Sequence, residues 1–338
     1  MRRIPRPFLL STFALALAGC AAGGAKPVIA GLPPVPVAAS GETDPVGTGK
    51  ADAADDPAIW VDPANPARAL IIATDKKAGI HIYDLAGKDI AFVKGGLVNN
   101  VDVVGNIVAA SDRNDGVNAH IALFRLDPDK PSLTALGRAA AGTGEAYGFC
   151  FRKTAPGEPL TAALILKDGT IRVGPLTLSD DAAPSFEVDW EAKVPTQAEG
   201  CVFDGDTLYV GEEDAGIWKL RRDYAGLVAR VDNERLVADV EGLATIDHKG
   251  QHYLIASSQG DNAYAVFRLP AMDYVGRFAI AAGTYGATSE TDGIEAVAGH
   301  FGAEYPDGLF LAQDGDNAPA AQNFKLVRWD RIAAALGL

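Results

Sequence analysis

Carboxylates recur in this chain at two kinds of position. One set opens short apolar runs: Asp56 in DDPAIW, Asp102 in NNVDVV, Glu145 in EAYGFCF, Glu199 in QAEGCVF, Glu241 in VEGLATI and Glu295 in TDGIEAV. The other sits in tight Gly/Asp turns at Asp75, Asp115, Asp168, Asp214, Asp261 and Asp314. Taken singly, such acids belong to solvated loops or Asx-turns. Gathered at one place they would repel by several kcal/mol, and protonation or bound cations would relieve the repulsion. The donors are hard oxygens without His or Cys, which suits Ca²⁺, in more than one copy, better than zinc or copper. Bases share the same turns: Lys76 and Lys77 follow Asp75, Arg113 precedes Asp115, and Lys167 precedes Asp168. Carboxylate-held cations flanked by Lys and Arg suit an anionic substrate with phosphate groups. Each Lys alone serves surface solubility equally well. The 5 His have no zinc spacing, and no C-x-x-C pair occurs. No Ser/His or Cys/His arrangement stands out as a nucleophile.

The elements that must position these groups read as all-β. Short runs rich in Val, Ile and aromatics are broken by Gly and Asp, and only Trp329 to Leu338 suits a short helix. A tight turn followed by an alternating strand returns six times, from Asp75-Lys-Lys-Ala-Gly-Ile-His-Ile-Tyr to Gln313-Asp-Gly-Asp-Asn. Units of about 45 to 50 residues match a four-stranded propeller blade, so the spacing predicts a six-bladed β-propeller. A β-sandwich or solenoid is the competing architecture. In a propeller the innermost strands line a central channel, and the strand-opening carboxylates are then expected to converge near one mouth.

The ends carry a different message. Arg2, Arg3 and Arg6 precede an apolar stretch from Phe8 to Ala18, about 11 residues and too short to span a bilayer as a helix. It closes on Leu17-Ala18-Gly19-Cys20, which resembles the lipobox of bacterial lipoproteins. Residues 1–19 read as a signal peptide, Cys20 as the lipidated first residue, and 20–47 as a flexible Pro/Gly/Ala-rich linker to a domain at 48–338. An ordinary cleaved signal peptide or an uncleaved anchor is the alternative. The formal charge of −14 becomes more negative once the leader arginines go, and no Lys/Arg block exists, which argues against nucleic acid as a partner. Cys150 and Cys201 read as two buried thiols, with a disulfide as the alternative in an oxidising compartment.

These motifs resemble the β-propeller phytases, or alkaline 3-phytases. The resemblance runs from residue 48 to 335 through DDPAIWVDPANP, TDKKAGIHIYDLAGK, NNVDV, EAYGF, QAEGC, GEEDAGIWK, ADVEGL, ASSQGDNAY, TSETDGIE and YPDGLFLAQDGDN. It implies a six-bladed propeller, likewise monomeric, that needs several Ca²⁺ ions and hydrolyses phytate near neutral to alkaline pH. Carried over by motif, the implied calcium ligands are Asp55, Glu199, Glu213, Asp239, Glu241, Asp292 and Asp314. The implied phosphate-binding residues are Lys76, Arg113, Tyr147 and Lys167, with Lys77 and Glu212 as weaker matches. The implied chemistry is metal-assisted, in-line attack of water on phosphorus without a phosphoenzyme. Two departures stand out: Glu290 and Glu295 replace expected Asp, and DGTIRV after Lys167 is not the usual continuation.

Two other functions compete at this level. A calcium propeller lactonase or esterase would use a similar acidic hub but would need no Lys and Arg at the mouth. A propeller that has lost its metals would serve as a non-catalytic surface binder. The leader places the protein outside the cytoplasm on a bacterial membrane. Ala21, rather than Asp, after Cys20 points to the outer membrane where one exists.

Overall fold

The computed structural model describes residues 30–49, 52–153, 158–179 and 181–338. The signal peptide and Cys20 lie outside the described residues. Six antiparallel sheets follow one another along the chain as blades, so the six-bladed β-propeller expected from the turn repeat is the fold. Blade 1 runs outward from Ala54–Trp60 through Leu70–Asp75 and Gly79–Tyr83 to Asp89–Lys94. The inner strands of blades 2 to 6 are Val98–Val104, Ala146–Arg152, Ala198–Asp204, Val240–His248 and Ile294–Val297. Each packs on the next, and Ile294–Val297 meets Ala54–Trp60 to close the ring.

The core is six apolar layers, one between each pair of neighbouring blades. Ile72, Ile80 and Ile82 of blade 1 meet Val101, Val108 and Phe124 of blade 2, for example. Strand composition follows from this. Ala54–Trp60 is buried at every position, because both of its faces are covered. The outer strand Asp89–Lys94 alternates half-buried and exposed residues, with one face in solvent. The turn glycines are required by space. At Gly79 (φ 153°) and Gly216 (φ 126°), the matching positions of two blades, a Cβ would lie 2.1 Å from the Val93 and Ala229 carbonyl oxygens.

Three expectations need correction or completion. The linker does not extend to residue 47. Val35–Ala38 adds a parallel fifth strand to blade 5, and Gly41–Glu42 forms the outermost strand of blade 6. The proline density that suggested a tether is compatible with an edge strand, where Pro36 needs no ladder N–H. Val37 is buried in the core while its neighbours Pro36 and Ala38 face solvent. Second, Cys150 and Cys201 form a disulfide between the inner strands of blades 3 and 4, with Cα atoms 5.9 Å apart. Burial alone did not distinguish bonded from free sulfur. The helix does form, over Trp329–Leu336, and buries Trp329, Ile332 and Ala333.

The third correction concerns the strand-opening carboxylates, which do not all meet at one mouth. Asp56 Oδ2 accepts from the Val101 amide (2.9 Å) and Asp102 Oδ2 from the Phe151 amide (2.8 Å). These two acids stitch each inner strand to the next. With Lys153 and Glu295 they line a cavity of about 510 Å³ along the axis. Glu145 lies outside its strand, 3.7 Å from Arg113. Side chains alternate sides in a strand, so a shift of one residue sends Asp56 and Asp55 to different surroundings.

Candidate active site

Five inner strands carry an irregularity in register just after they begin: between Ala54 and Pro57, Val98 and Val101, Ala146 and Phe149, Ala198 and Cys201, and Val240 and Leu243. A bulge re-aims side chains and ends regular pairing. Asp55, Asn99, Tyr147, Glu199 and Glu241 all lie within these five intervals, at the same mouth of the channel. Glycine lets the strands approach there: a Cβ on Gly148 would meet the Glu199 carbonyl oxygen at 1.9 Å, and one on Gly200 the Glu241 carbonyl oxygen at 2.2 Å.

The acids at this mouth form a dense cluster. Glu199, Glu213 and Glu241 each offer an oxygen, and these lie within 4.8 Å of one another. Asp55, Glu199 and Glu241 are buried. The Lys76 ammonium lies 2.9 Å from Asp55 Oδ1, 2.8 Å from Asp292 Oδ2 and 2.9 Å from Asp52 Oδ1. Three amides hold the acids in place. Asn99 Nδ2 donates to Glu199 Oε1 (2.7 Å), Gln197 Nε2 to Glu213 Oε1 (2.6 Å), and Gln259 Nε2 to Asp292 Oδ1 (2.6 Å).

The electrostatics follow from burial first and crowding second. Burial, then Asp55 and Asp292, pushes Glu199 well above the usual carboxylate range. Burial, then Glu199, Asp292, Glu213 and Asp55, does the same to Glu241. Asp292 is pushed up to about 7 by burial and Asp55, against the opposing pull of Lys76. Glu213 is raised, chiefly by burial. Burial would lower Lys76, but Asp55, Asp292 and Glu199 outweigh it and keep the ammonium charged. Burial, then Glu199, Glu241 and Asp55, raises Tyr147, so its phenol stays protonated.

A hard divalent cation fits these residues. Asp55 Oδ2 and Glu241 Oε2 are buried without a partner, and Asp55 Oδ1 faces only the Lys76 ammonium. Buried polar atoms ordinarily find partners. Uncompensated carboxylate oxygens facing other carboxylates are what an ion with oxygen ligands requires.

The bases lie beside the cluster. Lys167 Nζ stands 5.1 Å and Arg113 Cζ 5.9 Å from the centre of the Tyr147 ring. Tyr147 OH accepts from Gln197 Nε2 at 3.3 Å. Arg113, Tyr147 and Lys167 thus form one group, joined to Glu213 through Gln197. Asp239 adjoins Glu213 and raises it further.

The expected residues do not all gather. Asp314 is held by the buried Lys325 at 3.0 Å, apart from the cluster. Glu212 is satisfied by the Thr196 amide, the Thr196 hydroxyl and Trp218 Nε1, so its role is structural. Lys77 is exposed. Glu290 is exposed with φ 47°, and Glu295 belongs to the axial cavity. Neither departure from Asp therefore touches the acidic mouth. Sequence reasoning missed Asp52, Asn99, Gln197 and Gln259. The last three lie within the quoted motifs NNVDV, QAEGC and ASSQGDNAY, which is where a signal existed.

Ring and mouth together define a propeller whose acidic end can hold hard cations beside bases suited to an anionic ligand. The chain belongs to the phytase family: a family model described as Phytase matches residues 6–338. A 3-phytase of Bacillus subtilis (strain 168) is 36% identical over 364 aligned residues, covering 99% of this chain and 94% of that protein. Among solved structures, a chain of the mitotic checkpoint complex superposes with a TM-score of 0.53 at 10% identity, covering 88% of this chain and 96% of that chain. At that identity the likeness concerns the fold alone.

Proposed function

We propose that this protein is a 3-phytase that hydrolyses phosphomonoesters of phytate at the acidic mouth and depends on Ca²⁺. The single observation that carries the calcium reading is the pair of buried, unpartnered oxygens Asp55 Oδ2 and Glu241 Oε2 beside Glu199 and Glu213. Asp55, Glu199, Glu213, Asp239, Glu241 and Asp292 would hold the ions. When bound, Ca²⁺ offsets the carboxylate charge and presents positive charge to phosphate oxygens.

The chain's own residues do the rest. Lys76, already charged and fixed between Asp55 and Asp292 within the same cluster, binds the phosphate undergoing attack. The protonated Tyr147 hydroxyl donates to a phosphate oxygen. Arg113 and Lys167, both set against that ring, grip a second phosphate of the same inositol. Water attacks phosphorus in line, the P–O bond to inositol breaks, and the proton passes to the leaving alkoxide through solvent. Among the described residues no His stands at this mouth to activate a nucleophile; His81, for instance, is buried and paired with Asp89. The bases separate this reading from a propeller lactonase or esterase, whose substrate gives them nothing to bind.

The test is phosphate release from phytate at pH 7 to 8, with calcium and with excess EDTA. Release that stops in EDTA and returns with calcium supports the reading. Release unaffected by chelation contradicts it, and lactone cleavage without phytate cleavage would move the protein to the other class. We propose also that the chain is exported, lipid-anchored through Cys20 and monomeric. Cys20→Ser is expected to move it from the membrane fraction to the soluble one.

A further inference from the structure

Lys325 is fully buried in the third strand of blade 6, Asn323–Arg328. Its register places it between Ala312 of the neighbouring strand and Glu42 of the N-terminal strand that closes the ring. Four oxygens surround its ammonium: Glu42 Oε2 at 2.6 Å, Asp314 Oδ2 at 3.0 Å, Asn323 Oδ1 at 3.0 Å and Asn317 Oδ1 at 3.3 Å. They come from three separate segments and consist of two carboxylates and two amide carbonyls. That is a donor set for a hard cation. Glu42, Asn317 and Asn323 also line a surface cavity of about 400 Å³, which gives a solvent ion a way in. Asp314, a metal ligand by resemblance, therefore does not fit that role while Lys325 is present.

We propose that the Lys325 ammonium is the resident cation of an oxygen site at the ring closure, so that this junction holds without a divalent ion. A tethered ammonium competes with a solution ion at a high effective concentration, because it cannot diffuse away. Removing it leaves Glu42 and Asp314 as two unpaired carboxylates in a partly buried site. The vacated site is expected to bind a divalent cation.

Calcium counted by calorimetry and thermal melting in calcium and in EDTA test this. Lys325→Ala is expected to melt about 10 °C lower in EDTA. It is expected to bind one more calcium ion than the parent, and calcium should restore most of the lost melting temperature. Lys325→Met, which fills the space without charge, should melt lower with no additional ion. Asp314→Asn in the parent should leave the ion count unchanged. An ion lost from Asp314→Asn, or an unchanged count in a folded Lys325→Ala, overturns the proposal. If Lys325→Ala does not fold, the Asp314→Asn count decides alone. The phytate reading can fail without altering either count, so the two failures are distinguishable.

Discussion

Lys76 Nζ lies 2.8 Å from Asp292 Oδ2, although 216 residues separate them along the chain. The contact joins the first blade to the last at the mouth where the acids gather. Lys76 offsets carboxylate charge and is the base placed closest to the proposed ions. Lys76→Met is therefore expected to lower kcat/KM for phytate about 100-fold or more. Calcium should bind several-fold more tightly to the same variant, because a positive neighbour is gone. Steady-state kinetics and calorimetry on one preparation check both, and weaker calcium binding would assign Lys76 to holding the site together instead.

Neutralising an acid should separate activity from stability. Glu241→Gln and Asp55→Asn each remove one charge from a crowded, buried cluster. Activity is expected to fall by orders of magnitude with the fold retained. In EDTA the melting temperature of each variant should equal or exceed that of the parent, since repulsion is relieved. A lower melting temperature in EDTA would show that these acids stabilise the metal-free fold.

The pH dependence of stability without metal has a definite sign. Burial pushes Asp292 and Glu295 up to about 7 in the folded chain, from ordinary values of 3.8 and 4.5. Burial is the first cause in both. A raised carboxyl contributes stability that is present below its unfolded pKa and lost as pH rises through the folded value. In EDTA the melting temperature should therefore fall between about pH 4 and pH 7. With calcium present the decline should flatten, because the ions favour the charged form at the mouth. A metal-free melting temperature that rises across this window would contradict the burial of these groups.

The legible part of the molecule was what repeats. Turn spacing gave six blades because each blade must make the same turn over the same core layer, and the glycines at Gly79 and Gly216 report that constraint directly. Asp55, Glu199, Asp239 and Glu241 were legible as candidates because their motifs are intact. Partnership was harder to read. Nothing in the types of Asp314 and Lys325, or of Glu212 and Trp218, says that they pair across a blade. Asp56 and Asp55 are adjacent and chemically alike, yet a bulge assigns one to the axial stitching and the other to the mouth. The strand Val35–Ala38 was hidden because its prolines resemble those of a linker and only the presence of an open blade edge makes it a strand.

The Cys150–Cys201 disulfide spans 51 residues and ties the strand bearing Tyr147 to the strand bearing Glu199. Replacing both cysteines with Ala is expected to cost about 2–4 kcal/mol, or roughly 5–10 °C in melting temperature. Reduction of the parent under mild denaturation should give a similar loss. Melting curves with and without reductant check this, and coincident curves, with thiol titration confirming reduction, would leave the link without a stabilising role.

The most direct test is a crystal structure of the protein soaked in calcium and inorganic phosphate, with anomalous scattering used to locate the ions. Density for calcium among Asp55, Glu199, Glu213 and Glu241, with phosphate between those ions and Lys76, is the expected result. Calcium found only on other surfaces, with this mouth empty at saturating concentration, would contradict the proposed site.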